Sequence, residues 1–203
     1  DFFYAGGLRA LMVELGDKLD LSVTTVTGKT LGECVKGAKN YNSDVIRTLG
    51  NPVYHEGSLA VLKGNLAPDG AVIKPAAMDP KFQKHRGPAI VANSYSELKE
   101  IINDENYPIT ADHILVLRNA GPKGGPGMPE WGMIPMPKAL LKQGHRDMIR
   151  LSDARMSGTS YGACILHVAP EAYIGGPLAL IKNGDIIEAV SYTHLRAHET
   201  SPH

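Results

Sequence analysis

The sequence predicts an α/β chain whose larger part is a β-barrel-like domain with a few flanking helices. Three observations predict it. From about residue 50 onward, short β-like runs recur between Gly, Pro and Asn. One of them, HILVLRN at 113 to 119, is apolar almost throughout, as a strand buried on both faces would be. The 22 glycines and 14 prolines among 203 residues carry no low-complexity period, so they mark turns and not disorder. That length suits one domain and part of a second, and it is enough to bury a core.

Before the boundary near residue 50 the texture is different. Leu8, Leu11, Met12 and Leu15 recur at helical spacing and stop at Gly16. LSVTTVTG at 21 to 28 reads as a strand with a turn, and KTLGECVKGAK at 29 to 39 as a short helix. Beyond the boundary, SLAVLKGNL (58 to 66), GAVIK (70 to 74) and GPAIVAN (87 to 93) read as strands. SYSELKEIIND (94 to 104) follows as a helix, with Ser94 as N-cap and Glu97 completing a capping box. PKALLKQG (137 to 144) has Pro at its start and Gly at its end, as a short helix should. DMIRLSD (147 to 153) and ACILHVAP (163 to 170) are two further strands, and PLALIKNGDIIEA (177 to 189) is a hairpin turned at Asn183-Gly184. The strands together suggest a barrel or a closed mixed sheet.

Composition excludes some partners. Lys plus Arg and Asp plus Glu number 21 each, so no net charge draws the chain to nucleic acid or to an anionic membrane. No apolar run reaches transmembrane length. Cys34 and Cys164 stand far apart without a CxxC pairing, which points to a reducing, cytoplasmic setting. The chain opens on Asp1 without an initiator Met, and VSYTHLRAHET at 190 to 200 resembles a translated sequencing adapter. Residues 190–203 are therefore expected to be a non-native tail, the alternative being an ordinary polar C-terminus.

Four features invite a chemical reading. GKT at 28 to 30 suggests a phosphate loop, but Val23 stands where a second Gly is required, which leaves a strand-to-helix turn. The loop NAGPKGGPGMPEWG (119 to 132) has glycines that admit a close ligand, while Pro122, Pro126 and Pro129 remove the N–H groups of an anion cradle. Its one carboxylate, Glu130, is either a ligand for a hard cation such as Mg²⁺ or a solvated loop residue. His85, His113, His145 and His167 lack zinc spacing and read as satisfied or surface side chains, and Asp112 and Asp153 as turn caps. Ser157, in RMSGT, is not in a GxSxG elbow. Its hydroxyl could act as a base only where a metal or fixed dipoles stabilise the alkoxide, which ties it to Glu130; otherwise it is a turn residue.

The longer motifs narrow these alternatives. AGGL (5 to 8), TVTGKTLGE (25 to 33), HRGPA (85 to 89), GPKGGPGMPE (121 to 130), SDARMSGTSYG (152 to 162) and HVAPEA (167 to 172) resemble, in order and spacing, the dihydroxy-acid and sugar-acid dehydratase family. SDARMSGTSYG in place of a DGRFSGGT-like motif, and the segment WGMIPMPKALLKQGHRDMIR (131 to 150), are similar to the arabinonate and xylonate branch.

The resemblance implies a hydro-lyase that dehydrates a sugar acid to a 2-keto-3-deoxy acid. An iron–sulfur cluster of the [2Fe–2S] kind acts on the leaving hydroxyl, Mg²⁺ holds the carboxylate end, and a serine alkoxide takes the C2 proton. Matched by motif, Ser157 is the base, Thr159 a neighbouring active-site hydroxyl and Glu130 a Mg²⁺ ligand. It implies as well that residues 1–50 end an α/β N-terminal domain and that 51–189 form a swivelling-type C-terminal domain. The cluster cysteines, other Mg²⁺ ligands and a modified lysine would lie upstream, since neither Cys34 nor Cys164 sits in a cluster motif. On this reading the chain is a C-terminal fragment, inactive alone, of a homo-oligomer, either dimer or tetramer. The alternatives are a branched-chain dihydroxy-acid substrate, a phosphogluconate, or a non-catalytic barrel that binds a small acid.

Overall fold

The computed structural model describes residues 1 to 198 apart from Tyr54, Glu56, Met128, Thr159, Ser160 and Thr193, with backbone alone at 194 to 198. The chain divides into two compact units, Asp1–Glu56 and Gly57–His203.

In the first unit, helix α1 (Gly7–Leu15) stops at Gly16, whose N–H returns to the Met12 carbonyl at φ 48°. Ala5, Ala10 and Ile46 form a small core of their own. The glycine of AGGL has a steric cause: at Gly6, φ is 116° and a Cβ would lie 2.3 Å from the Lys39 carbonyl oxygen. LSVTTVTG forms no strand; it shrinks to one bridge, Thr24 with Thr30, because Thr25 and Lys29 close a tight turn with Gly28 in the left-handed region. Thr30 and Glu33 then make a reciprocal capping box on helix α2 (Leu31–Val35). The GKT segment is thus a turn and a helix cap.

The second unit holds one sheet. Its strands are β1 (Ala60–Leu62), β2 (Gly70–Ile73), β3 (Lys84–Ala92), β4 (Ile114–Leu117), β5 (Arg150–Ser152), β6 (Cys164–Ala169), β7 (Ile186–Val190) and β8 (His194–His198). They are ordered β1-β2-β6-β5-β4-β3-β7-β8. The sheet curls into a half-barrel and does not close, since β1 and β8 stand at opposite ends of that order. Strands β3, β4, β5 and β6 run parallel, and antiparallel pairs flank them on either side. Every residue of β4 is buried, as its apolar run predicts. Strand β8 pairs through its backbone with β7, within the segment expected to be a non-native tail.

Helices α3 (Tyr95–Asn103) and α4 (Lys138–Lys142) accompany the sheet, and α3 buries Leu98, Ile101 and Ile102. Only half of its expected capping box forms. The Ser94 hydroxyl accepts from the Glu97 N–H, but the Glu97 carboxylate takes the N–H and side-chain amide of Asn93 instead. The expected hairpin around Asn183-Gly184 is also corrected. Residues Pro177–Leu180 form a 3-10 turn, and the carbonyls of Ala179 and Ile181 accept from the Arg118 guanidinium. With those acceptors used and Pro177 lacking an N–H, no ladder to β7 is available. The Asn183 side chain docks instead on the Val91 N–H of β3.

Candidate active site

Four parallel strands carry their C-terminal ends to one edge of the sheet, where open α/β sheets bind ligands. Asn93 follows β3, the loop beginning at Arg118 follows β4, Asp153 follows β5 and Pro170 follows β6. The two longest signature motifs therefore leave adjacent strands at the same edge.

Carboxylates fasten the β4 loop from below. Asp153, 1 % exposed, accepts from the N–H groups of Ala120 (2.9 Å), Asn119 (3.2 Å) and Ala172 (2.9 Å). Burial pushes its carboxyl above the ordinary range; the three N–H donors oppose that shift and the nearby Glu171 charge adds to it. Glu171, also buried, accepts from the N–H groups of Lys123 and Gly124. Asp153 is thus a cap, as its place at a strand end suggests. It joins three segments, not one turn.

A buried ion pair joins the two ends of the β5 loop. Arg150, fully buried, pairs with Asp147 at 2.9 Å and donates to the carbonyls of Ile134 (2.8 Å) and Tyr161 (3.4 Å). Asp147 in turn accepts from the Ala163 and Asp79 N–H groups. Gly162 permits this packing: at φ 90°, a Cβ would meet the Arg150 guanidinium at 1.9 Å. Nothing in the periodicity of DMIRLSD reveals that its two opposite charges bury each other.

Between those ends lies Ser157. It is half-buried and lines a cavity of about 180 Å³ with Lys74, Gly158, Cys164 and His167. The Lys74 ammonium donates to the Gly158 carbonyl at 2.5 Å, which brings a positive charge to the serine's segment. Burial raises the Cys164 thiol to about 11, so at neutral pH it stays protonated. Thr159 lies outside the described residues. Glu130 is exposed and pairs with Arg155 at 3.2 Å, two residues before Ser157. It is linked to the serine's loop, yet it is not among the described residues that line the serine's cavity.

The implied cofactors fit these residues unequally. Among the described residues, no three His, Cys, Asp or Glu side chains converge as a metal-binding group. The two cysteines, both free, belong to different units. For Mg²⁺, Glu130 would be one hard oxygen donor out of an octahedral set. His85 and His113 are satisfied, by the Asp112 carbonyl and by Thr110 respectively, as their spacing suggests. Among the described residues no helix is long and apolar enough to cross a membrane.

The sequence motif HVAPEA does not show that His167 is displaced from its strand. Between β2 and β6, Gly70 faces Ala169 and Val72 faces Leu166, so β6 carries one extra residue there. That β-bulge contains His167, exposed between buried Leu166 and Val168, with φ 52°.

Comparison with known proteins agrees with this arrangement. Residues 44–197 match the model of the dihydroxy-acid/6-phosphogluconate dehydratase C-terminal domain. The chain is 51 % identical over 191 residues to 6-deoxy-6-sulfo-D-gluconate dehydratase of Pseudomonas putida, covering 93 % of this chain and 33 % of that protein. It matches L-arabonate dehydratase of Azospirillum brasilense with the same identity and coverage, 51 %, 93 % and 33 %. To dihydroxy-acid dehydratase of Methanobrevibacter smithii it is 45 % identical over 188 residues, covering 93 % of this chain and 34 % of that protein. The chain spans about a third of the length of these relatives. With the half-barrel sheet and both signature loops in register, it belongs to the dihydroxy-acid/6-phosphogluconate dehydratase family and carries its C-terminal domain.

Proposed function

We propose that the chain supplies the proton-abstracting side of a hydro-lyase that converts a sugar acid of the arabinonate or xylonate type to a 2-keto-3-deoxy acid. The observation that carries this reading is Ser157, held on the loop leaving β5 in a cavity beside the Lys74 ammonium. A serine hydroxyl is a weak base in water; a fixed positive charge nearby favours its alkoxide and offsets the opposing effect of partial burial. Ser157 Oγ takes the proton from C2 of the substrate, and the electron pair left behind forms the C2=C3 bond as the C3 hydroxyl departs. The enol so formed becomes the 2-keto acid. Thr159 is assigned to the same pocket by its place in the motif.

Glu130 is the residue of this chain that would help to hold Mg²⁺, which when bound supplies positive charge for the substrate carboxylate. The iron–sulfur cluster and the remaining Mg²⁺ ligands are assigned to the part of the protein outside this chain. The 203-residue chain alone is accordingly inactive, and the full-length protein works as a cytoplasmic homo-oligomer.

Sugar acid is preferred over branched dihydroxy acid because SDARMSGTSYG is similar to the arabinonate and xylonate branch, and relatives named for sugar-acid substrates share 48–51 % identity against 45–48 % for those named dihydroxy-acid dehydratase. The test uses the full-length enzyme with pentonates, hexonates and dihydroxyisovalerate. Turnover should be fastest on an aldonate, and Ser157→Ala should abolish it while leaving the cluster's absorbance. Preference for the branched acid would overturn the substrate; turnover retained by Ser157→Ala would remove the base.

A further inference from the structure

We propose that His167 is a second catalytic residue of this site, which takes from Ser157 the proton removed from the substrate and passes it to water. The inference rests on Ser157 acting as the base. A serine that has accepted a proton is neutral and cannot accept another, so each turnover needs a way to clear it.

Position and backbone geometry single out His167. Among the described residues, only Asn119 and His167 are non-glycine residues with positive φ, and both lie where the signature loops meet the sheet edge. A regular β6 would give each residue of this stretch a partner on β2; the bulge breaks that pairing and leaves an exposed imidazole between two buried neighbours. Bulges and strained backbone of this kind re-aim side chains at functional sites. The backbone is held in this state by the His167 N–H, which donates to the Ala154 carbonyl at 3.1 Å, three residues before Ser157.

His167 also borders two spaces. It lines the 180 Å³ cavity with Ser157, and a second cavity of about 390 Å³ with Asp69, Asp153 and Glu171. Lys74 lines the first, and Asp69, Asp153 and Glu171 line the second, so a cation formed on the imidazole lies between one basic residue and three acidic ones. Imidazole is the side chain suited to accept and release a proton near neutral pH. The step balances: the Ser157 O–H bond breaks, an imidazole N–H bond forms, and the imidazolium then gives that proton to water.

The test replaces His167 in the full-length, cluster-loaded enzyme. His167→Asn is the first variant, because asparagine tolerates the same positive φ; His167→Gln is read where the first loses cluster absorbance. The kcat should fall about 100-fold with KM little changed. Added imidazole should restore kcat in proportion to its concentration in the His167 variant and have no effect on Ser157→Ala. A kcat within twofold of the parent, or a loss that imidazole does not restore, would overturn the inference. If Ser157→Ala itself turns over, the base assignment fails; if it is inactive while the His167 variants match the parent, only the role of His167 fails.

Discussion

The two signature loops are held by different means. The β4 loop is fastened along its length by buried carboxylates, with Asp153 and Glu171 taking backbone N–H groups from Asn119 to Gly124. The β5 loop is clamped at its ends by the Arg150–Asp147 pair, and its middle faces a cavity. The first arrangement fixes a backbone along its length; the second joins the two ends of a short span whose centre carries Ser157 at the edge of a cavity.

The largest effect that should distinguish the two comes from Arg150. Arg150→Ala leaves Asp147 as an uncompensated buried charge and frees the Ile134 and Tyr161 carbonyls, so urea denaturation should show a loss of about 3–5 kcal/mol. A loss below 1 kcal/mol would mean that the β5 loop does not depend on its clamp.

Cysteine reactivity sharpens the contrast within the chain. Cys164 lies under the β5 loop with its thiol raised to about 11, whereas hydrogen bonds with Thr25 and Thr27 lower that of Cys34. At pH 8, iodoacetamide should modify Cys34 on the order of 100-fold faster than Cys164, as read by mass spectrometry of the peptides. Comparable rates would show that the β5 loop opens readily.

Asp153 tests the β4 loop. Asp153→Asn turns an acceptor oxygen into an N–H₂ facing one of three backbone N–H groups, for a loss of about 1–3 kcal/mol in the same denaturation experiment. The sign of its pH dependence follows from burial. A carboxyl raised in the folded state contributes stability that is full below its unfolded value, near 3.8, and is lost as pH rises through the folded value. The parent should therefore lose stability in that window and the Asn variant should lack this component. The smallest effect belongs to Glu130. Its ion pair with Arg155 is about half exposed, so Glu130→Gln should change stability by less than about 1 kcal/mol, even though the proposed Mg²⁺ role predicts a large loss of turnover in the full-length enzyme.

What the sequence revealed follows from the range of the interactions. HILVLRN is readable because burial on both faces leaves only apolar residues, and Ser94 because a cap acts within four residues. The motifs around Glu130 and Ser157 lie on loops that adjacent parallel strands bring to one edge. The hairpin at Asn183-Gly184 was misread because its would-be strand is drawn away by Arg118, about sixty residues earlier in the chain. His167 escaped for a related reason: the extra residue in β6 exists only relative to β2, and no local pattern records a mismatch between distant strands.

That pairing of β2 with β6 also shapes how the domain is built. Strand β2 ends at Ile73 and its partner begins only at Cys164, so one of the two long loop closures in the sheet, the other being β3 with β7, joins the first hairpin to the last of the parallel strands. Contacts this far apart in the chain form late, because their closure entropy is lost before they return any stability. During synthesis, the β1–β2 hairpin must wait, with one edge unpaired, until almost the whole unit has emerged. The bulge holding His167 can form only when that closure is made, which places the assembly of the candidate active site among the last events of folding.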